Sequence, residues 1–436
     1  LGRALIVRGA GKTRRQVIAW ALYDWGNSAF ATAVIAGFFP IFFKQYWSAG
    51  IDPTASSFRL GIANSAGSLV VLALAPALGA VADQGAFKKR FLTAFAFAGI
   101  VATAALYLVE QGSWEIAVLL YVVAGIGFSG ANVFYDALLI DVAEAREFDF
   151  VSGLGYAAGY LGGGLFFAGC VALTLWPESF GLAGRAQAVS LSFVLTGVWW
   201  ALFTLPLLRA VRERPATGST GFLRALGGGF RQLAATFRKI RRFRVVVLFL
   251  VAYWLYIDGV DTIVRMAVDY GMALGFPAEG LITALLITQF VGFPAALLFG
   301  WLGGKIGAKT GILIGIAAYM AITFWGYLMQ SSWEFYALAV AIGLVQGGVQ
   351  SLSRSLYARL IPEEAAAEFF GFYNLLGKFA AVLGPALMGW VAVATGSNRL
   401  SILSLLVLFG LGALLLLFVK PIGASLDPDA GETGAA

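Results

Sequence analysis

The chain has 436 residues, 60% hydrophobic and 12% charged, with 30 Lys plus Arg against 23 Asp plus Glu and a net charge of +7. Soluble domains carry about twice that share of charge, so a disordered protein, a secreted disulfide scaffold and an ordinary soluble enzyme are excluded. The single cysteine, Cys170, leaves no partner for an intrachain disulfide, and the lack of histidine removes imidazole catalysis, His-held metals and histidine proton relays.

A hydrocarbon core about 30 Å thick is crossed by about 20 apolar residues of helix. Apolar runs recur over 17–43, 59–82, 91–109, 115–138, 150–174, 188–208, 245–268, 281–303, 309–329, 333–353, 369–394 and 399–419. They predict an all-α membrane protein of twelve spans. With the N-terminus inside, 24 of the 30 Lys and Arg fall in inner segments and 4 in outer ones. That asymmetry is the positive-inside pattern. It places both ends in the cytoplasm and explains the basic charge without nucleic acid.

Span 1 holds Asp24, Asn27, Ser28 and Thr32. Asp24 lies about 9 Å to the inner side of its centre at 1.5 Å per residue. It is read either as a coupling or gating acid or as a local hydrogen-bond acceptor. After span 2 comes Gly79-x-x-x-Asp83, followed by Lys88, Lys89 and Arg90. An acid at a helix end facing cations can latch the inner surface, and a plain basic anchor is the other reading. Span 4 carries Ser129, Asn132 and Asp136. Span 5 is smooth with Gly153, Gly155, Gly159, Gly162, Gly163 and Gly164, which lets helix backbones approach closely. That glycine string has no Lys-Ser/Thr after it, so it is no phosphate loop.

Residues 209–244 hold ten cations and divide the spans six and six. Phe222, Leu226, Phe230, Leu233, Phe237 and Ile240 recur there at three- and four-residue steps. This predicts a basic amphipathic helix on the anionic inner leaflet, or a basic tether between halves. Span 7 holds Asp258, Asp261, Thr262 and Arg265 on one face. Asp258 lies about 2 Å from the midplane, Asp261 about 7 Å and Arg265 about 13 Å outward. Ionised groups at a span centre cost roughly 2.5–3.5 kcal/mol each, so Lys378 of span 11 is an expected partner for Asp258 and Arg265 for Asp261. Either an acid of this pair exchanges an ion, or the charges form a static cluster. Span 10 carries Gln346, Gln350, Ser351 and Ser353, with Arg354 at its inner end. The final 421–436 is acidic and expected to be disordered.

The polar residues thus gather on spans 1, 4, 7 and 10, and spans 3, 6, 9 and 12 carry only scattered Ser and Thr. The former are expected to line a path and the latter to face lipid. Asn27, Asn132, Gln289, Gln350 and Asn374 would supply neutral donors and acceptors, and Tyr156, Tyr160 and Tyr256, with Trp25 and Trp254, aromatic walls. They suit a small zwitterion, a sugar or a peptide. Gly125, Gly153 and Gly159 recur 218 residues later as Gly343, Gly371 and Gly377. The same offset takes Asp136 to Arg354, which either pair across the halves or stay solvated. Such a repeat predicts two pseudo-symmetric six-helix bundles, 1–208 and 245–420.

The 79–90 loop resembles the signature loop of the major facilitator superfamily, with Gln84, Ala86 and Phe87 departing from its usual residues. The strings AWALYDWGNSAFATAV (19–34), APALGAVAD (75–83), YIDGVDTIVRMAVDYG (256–271) and SRSLYARLIPEEAAAEFFGFYNLLGKFAAVLGPALMG (353–389) resemble the vacuolar-effluxer-like family, the autophagy-related permeases and their bacterial branch. Ile257 departs from that pattern where a polar residue is expected beside Asp258. The resemblance implies the major facilitator fold, a central cavity lined by spans 1, 4, 7 and 10, and amino-acid efflux by analogy with the fungal members.

The expectation is therefore a secondary active transporter in a bacterial inner membrane, not an enzyme. It moves a small polar solute, an amino acid first, by alternating access. A sugar or peptide symporter or a lipid-moving relative is the alternative, and a channel is disfavoured because no pore loop is visible. Asp258, Asp261 and Asp24 are the expected coupling residues, with a proton or sodium as the ion and no other cofactor or metal. Asp83, Lys88, Lys89, Asp136 and Arg354 are the expected gate. The expected partners are the solute and the lipid bilayer, and the chain is expected to act as a monomer.

Overall fold

A computed structural model describes residues 13–50, 70–71, 74–214, 243–273, 279–379 and 383–420. Helix α1, Arg14–Trp47, opens on a capping box. The Gln16 N–H donates to the Thr13 hydroxyl and the Thr13 N–H returns to Gln16 Oε1 at 2.9 Å. Over Phe30–Phe38 and Phe43–Trp47 it widens into π turns. Pro40 lies between these stretches, lacks an N–H and crowds the carbonyl four residues back, so the ladder shifts register around it.

Then come α2 (74–85), α3 (Lys88–Leu108), α4 (Trp114–Val142), α5 (Phe148–Leu175) and α6 (Arg185–Ala210). After the 215–242 stretch lie α7 (Arg244–Ala273), α8 (Glu279–Ile306), α9 (Ala308–Leu328) and α10 (Ser332–Leu360). The eleventh expected span is occupied by α11 (Ala366–Phe379) and α12 (Leu383–Thr395), and α13 covers Arg399–Phe418. Ten helices among the described residues are long and apolar enough to cross a membrane. The second and eleventh expected spans are described in part. The basic stretch 215–242 and the acidic tail lie outside the described residues.

Helix packing repeats along the chain. α3 lies on α4 as α9 lies on α10, and α1 lies on α6 as α7 lies on α13. Across the halves, α5 packs on α8 and α10, and α4 on α11. The α5 glycines serve two neighbours. A Cβ on Gly153 would stand 2.8 Å from the Ala296 carbonyl oxygen and 2.9 Å from Gly300 Cα of α8, while one on Gly162 would stand 2.5 Å from the Trp25 carbonyl of α1. Only hydrogen fits at these crossings. The outward faces are apolar, as Phe97 (68% exposed) on α3, Val198 (58%) on α6 and Phe324 (53%) on α9 illustrate. These are surfaces for acyl chains.

Lys88, Arg146, Arg214 and Arg359 mark one end of the bundle, the basic end. In the turn there, Ala86 adopts φ +52°, the left-handed backbone that a glycine would accept without strain.

Candidate functional site

A cavity of about 290 Å³ lies between the halves, at the low end of small-molecule sites. Its wall is Asp24, Asn27, Ser28, Ala31 and Thr32 of α1, Phe128, Asn132, Tyr135 and Asp136 of α4, and Tyr156, Gly159 and Tyr160 of α5. From the second half come Gln289 of α8, Gln346, Gln350 and Arg354 of α10, and Asn374 of α11. Steps of three and four along α1 and α4 keep each polar set on one helical face.

Within the wall, Asn27 Nδ2 donates to Asn132 Oδ1 at 2.6 Å. The Asp24 carboxylate accepts from the Ser28 hydroxyl and from the Tyr135 hydroxyl, each at 3.2 Å. Among the described residues it has no ion-pair partner. Tyr160 donates to Gln350 Oε1 at 3.2 Å, linking α5 to α10. Seven of the eight expected solute contacts, Asn27, Asn132, Tyr156, Tyr160, Gln289, Gln350 and Asn374, thus share one chamber. Tyr256 does not join them. It is fully buried between α7 and α10, with its hydroxyl 2.6 Å from the Ser353 hydroxyl.

Arg354 closes the chamber toward the basic end. It is 1% exposed, and a lone buried guanidinium would be costly. Its partners answer that cost. Nη1 donates to Asp136 Oδ1 at 2.9 Å, Nε to the Ser152 hydroxyl at 2.9 Å and Nη2 to the Ser152 carbonyl at 3.0 Å. The rings of Tyr156, Trp20 and Tyr135 surround it at 4.4, 4.9 and 5.4 Å. Asn374 Nδ2 donates to the other Asp136 oxygen at 2.9 Å. The two residues related by the 218-residue offset therefore meet face to face. Side chains near a pseudo-two-fold axis meet their own counterparts, which is why the offset brings this pair together.

A second cross-half layer lies below. Arg359 grips Asp149 with both terminal nitrogens, at 2.7 and 2.8 Å, and the Ser355 hydroxyl donates to the same carboxylate. Asp149 went unnoticed in the sequence because an acid in the first turn of a helix is ordinary. Tyr135 went unnoticed because its ring reads as core. At the loop after α2, the Asp83 carboxylate accepts the N–H groups of Ala367 (3.0 Å) and Glu368 (2.9 Å). It thereby caps α11 of the opposite half. The sequence expectation was an acid facing cations across the surface. Lys88 is only 3.8 Å from Asp83 but 3.0 Å from Asp141, within its own half, and Lys89 Nζ donates to the Val211 carbonyl at 2.8 Å. The N-terminus of α3 is capped by Glu213, which accepts from the N–H groups of Lys88 and Lys89 at 2.8 and 3.0 Å. Burial pushes the Glu213 carboxyl above its ordinary range, against the pull of those N–H groups.

Span 7 behaves differently from its sequence reading. α7 supplies none of the described residues lining the chamber. Asp258 is 0% exposed and its carboxylate accepts the N–H groups of Leu383 (3.0 Å) and Gly384 (2.8 Å) and the Thr262 hydroxyl (3.2 Å). It thus pairs with the first described N–H groups of α12. Asp261 is half-buried one turn further on. The side chains of Arg265 and Lys378 lie outside the described residues. The charge a span centre must neutralise is met at Asp258 by a helix end, a solution that no residue-type count reveals.

The sequence matches the family described as "Vacuole effluxer Atg22 like" over residues 12–421. It is 38% identical to the uncharacterized MFS-type transporter YxiO of Bacillus subtilis, covering 93% of this chain and 95% of that protein. It is 24% identical to autophagy-related protein 22 of Coccidioides immitis, over 97% of this chain and 88% of the relative. Among solved structures, the FucP transporter in its outward conformation superposes with a TM-score of 0.71 at 12% identity, over 93% and 99% of the two chains. The proton:xylose symporter XylE gives 0.67 at 15% identity, over 93% and 94%. At those identities the likeness speaks for the major facilitator fold alone.

Proposed function

The chain belongs to the vacuole effluxer Atg22-like family, a multi-pass membrane transporter of the major facilitator fold, and on that premise we propose that it moves a small polar solute, an amino acid first, by proton-coupled alternating access. The observation that carries this reading is the shared chamber. It takes neutral amides and hydroxyls from both halves, and ion pairs that cross between the halves close it at the basic end. Alternating access needs such contacts, which hold one state and part in the other.

The positive-inside pattern makes the basic end cytoplasmic, in the inner membrane of a bacterium. The cavity is then cut off from the cytoplasm in this conformation. The halves, 1–208 and 245–420, rock about the α5–α8 seam, where Gly153 and Gly300 permit close sliding. A zwitterion would be held by the neutral amides and hydroxyls of the chamber, with its carboxylate toward the Arg354 end. The neutral amides also favour a sugar as a second reading.

Of the three acids expected to couple an ion, Asp24 fits the task best. It lines the chamber, its hydrogen-bond partners among the described residues are hydroxyls, and it can exchange a proton with whichever side the chamber faces. Asp258 is instead engaged by α12. The test is uptake of labelled amino acids, sugars and short peptides by reconstituted vesicles, with and without an imposed proton gradient. One class should accumulate only with the gradient. Asp24→Asn should abolish accumulation while leaving solute exchange. Accumulation that survives Asp24→Asn intact refutes the coupling role, and no transport of any class refutes the solute reading.

A further inference from the structure

Beside the central chamber, within the second half, lies another cavity of about 130 Å³. Helices α7 to α10, α12 and α13 enclose it, with Ile263, Leu285, Ile322, Leu338, Met388 and Leu405 among its walls. Its hydroxyls are already engaged. Thr288 lies within hydrogen-bond reach of the Ala284 and Ala339 carbonyls at 3.0 and 3.3 Å, and Thr323 donates to the Tyr319 carbonyl at 2.7 Å. Apart from the amides of Gln289 and Gln346, its described lining is largely apolar.

Two residues line both cavities, Gln289 and Gln346. They stand where α8 and α10 separate the polar chamber from the largely apolar one. Gln289 is braced from the other half, since a Cβ on Gly164 of α5 would stand 3.1 Å from Gln289 Cβ. Gln346 is less constrained. Its Oε1 is buried and, among the described residues, has no hydrogen-bond partner. An orphan acceptor of this kind calls for a reason, because a native interior pairs such groups with few exceptions.

We propose that Gln346 is the specificity gate of this transporter. Its amide is the septum that limits how large a solute the central chamber admits, and its free Oε1 accepts a hydrogen bond from the solute. The proposal rests on the transport reading above and adds a residue and a selection rule to it. The amide has two separable jobs. As a wall it denies the solute the 130 Å³ behind it. As an acceptor it rewards a solute that brings an N–H or O–H to that wall. A solute lacking the donor leaves the carbonyl buried and unpaired, which is how a polar site rejects an analogue far more strongly than a greasy one does.

Two substitutions separate the jobs. Gln346→Leu keeps the wall and removes the acceptor. Gln346→Ala removes both and joins the chambers. The probes are a series of neutral amino acids of increasing side-chain size, competed against the labelled solute that wild type transports best, in reconstituted vesicles. Gln346→Leu should weaken that solute about tenfold and leave the size limit in place. Gln346→Ala should shift the limit upward, so that probes excluded by wild type inhibit at concentrations at least tenfold lower. Thermal unfolding of both variants in detergent checks that the fold is kept. An unchanged size limit in a folded Gln346→Ala overturns the septum, and an unchanged affinity in a folded Gln346→Leu overturns the acceptor. If wild type itself transports nothing, the transport reading fails first, and that outcome is distinct from either.

Discussion

Removing the Arg354 guanidinium should unlock the basic end of this protein. Arg354→Met keeps an unbranched apolar stem and deletes the guanidinium and its charge. It strands Asp136, 7% exposed, with Asn374 as its remaining partner among the contacts above. Breaking one side of a buried ion pair costs about 3–5 kcal/mol. The pair and its Ser152 bonds tie α4 and α5 to α10, so they exist only while the halves meet at this end. The stabilisation therefore favours the closed state over the open one. A loss of about 3 kcal/mol corresponds to roughly a 150-fold shift toward the open state. Two measurements read this out. The first is a double-mutant cycle in thermal unfolding with Asp136→Asn, Arg354→Met and both together, where the coupling should reach about 2–4 kcal/mol. The second is labelling of Gln350→Cys by a membrane-impermeant thiol reagent from the basic side of inside-out vesicles. Cys170, the one natural cysteine and itself buried, is replaced by Ser for this assay. Arg354→Met should accelerate labelling by more than tenfold. A coupling below about 0.5 kcal/mol, together with unchanged labelling, would refute the cross-half latch.

Asp258→Asn should lower the thermal midpoint rather than uncouple transport, because an amide replaces one of the two oxygens that accept the Leu383 and Gly384 N–H groups with a donor. The expected loss is about 1–3 kcal/mol, read by thermal unfolding, and a variant as stable as wild type counts against the capping role. Gly153→Val would drive a side chain into Ala296 and Gly300 at the α5–α8 seam. It should cost about 1–3 kcal/mol from overpacking and slow solute exchange, and unimpaired exchange would show that the seam tolerates separation. Glu213 gives a pH signature. Its carboxyl is raised in the folded state, so folding favours the protonated form, and the charged form weakens the fold as pH rises from the unfolded to the folded value. Relative to Glu213→Gln, wild type should therefore lose stability across that carboxylate window and hold level above it. A difference that does not change with pH would exclude the burial argument.

The amino-acid sequence alone determined that this chain crosses a membrane many times, which end of the bundle is basic and which residues are related by a repeat. A bilayer leaves the backbone little choice, because its polar groups must pair within each helix. Apolar length, charge bias and a 218-residue offset therefore suffice, and the Asp136–Arg354 pair follows from that offset once the halves face each other. Most of the neutral residues of the chamber were legible for the same reason, since polar groups on a span must turn inward. What only the tertiary structure decided is which of the inward acids meets the cavity. Asp24 and Asp258 look alike in sequence, each an acid on an apolar helix with a hydroxyl residue four positions on. Asp24 faces the chamber and Asp258 faces the start of α12, because helix rotation and the place where another helix begins are set by packing between distant segments. Gln289 and Gln346, standing between a polar chamber and a largely apolar one, belong to the same class of fact. No local pattern encodes a void, because a void is defined by six helices at once.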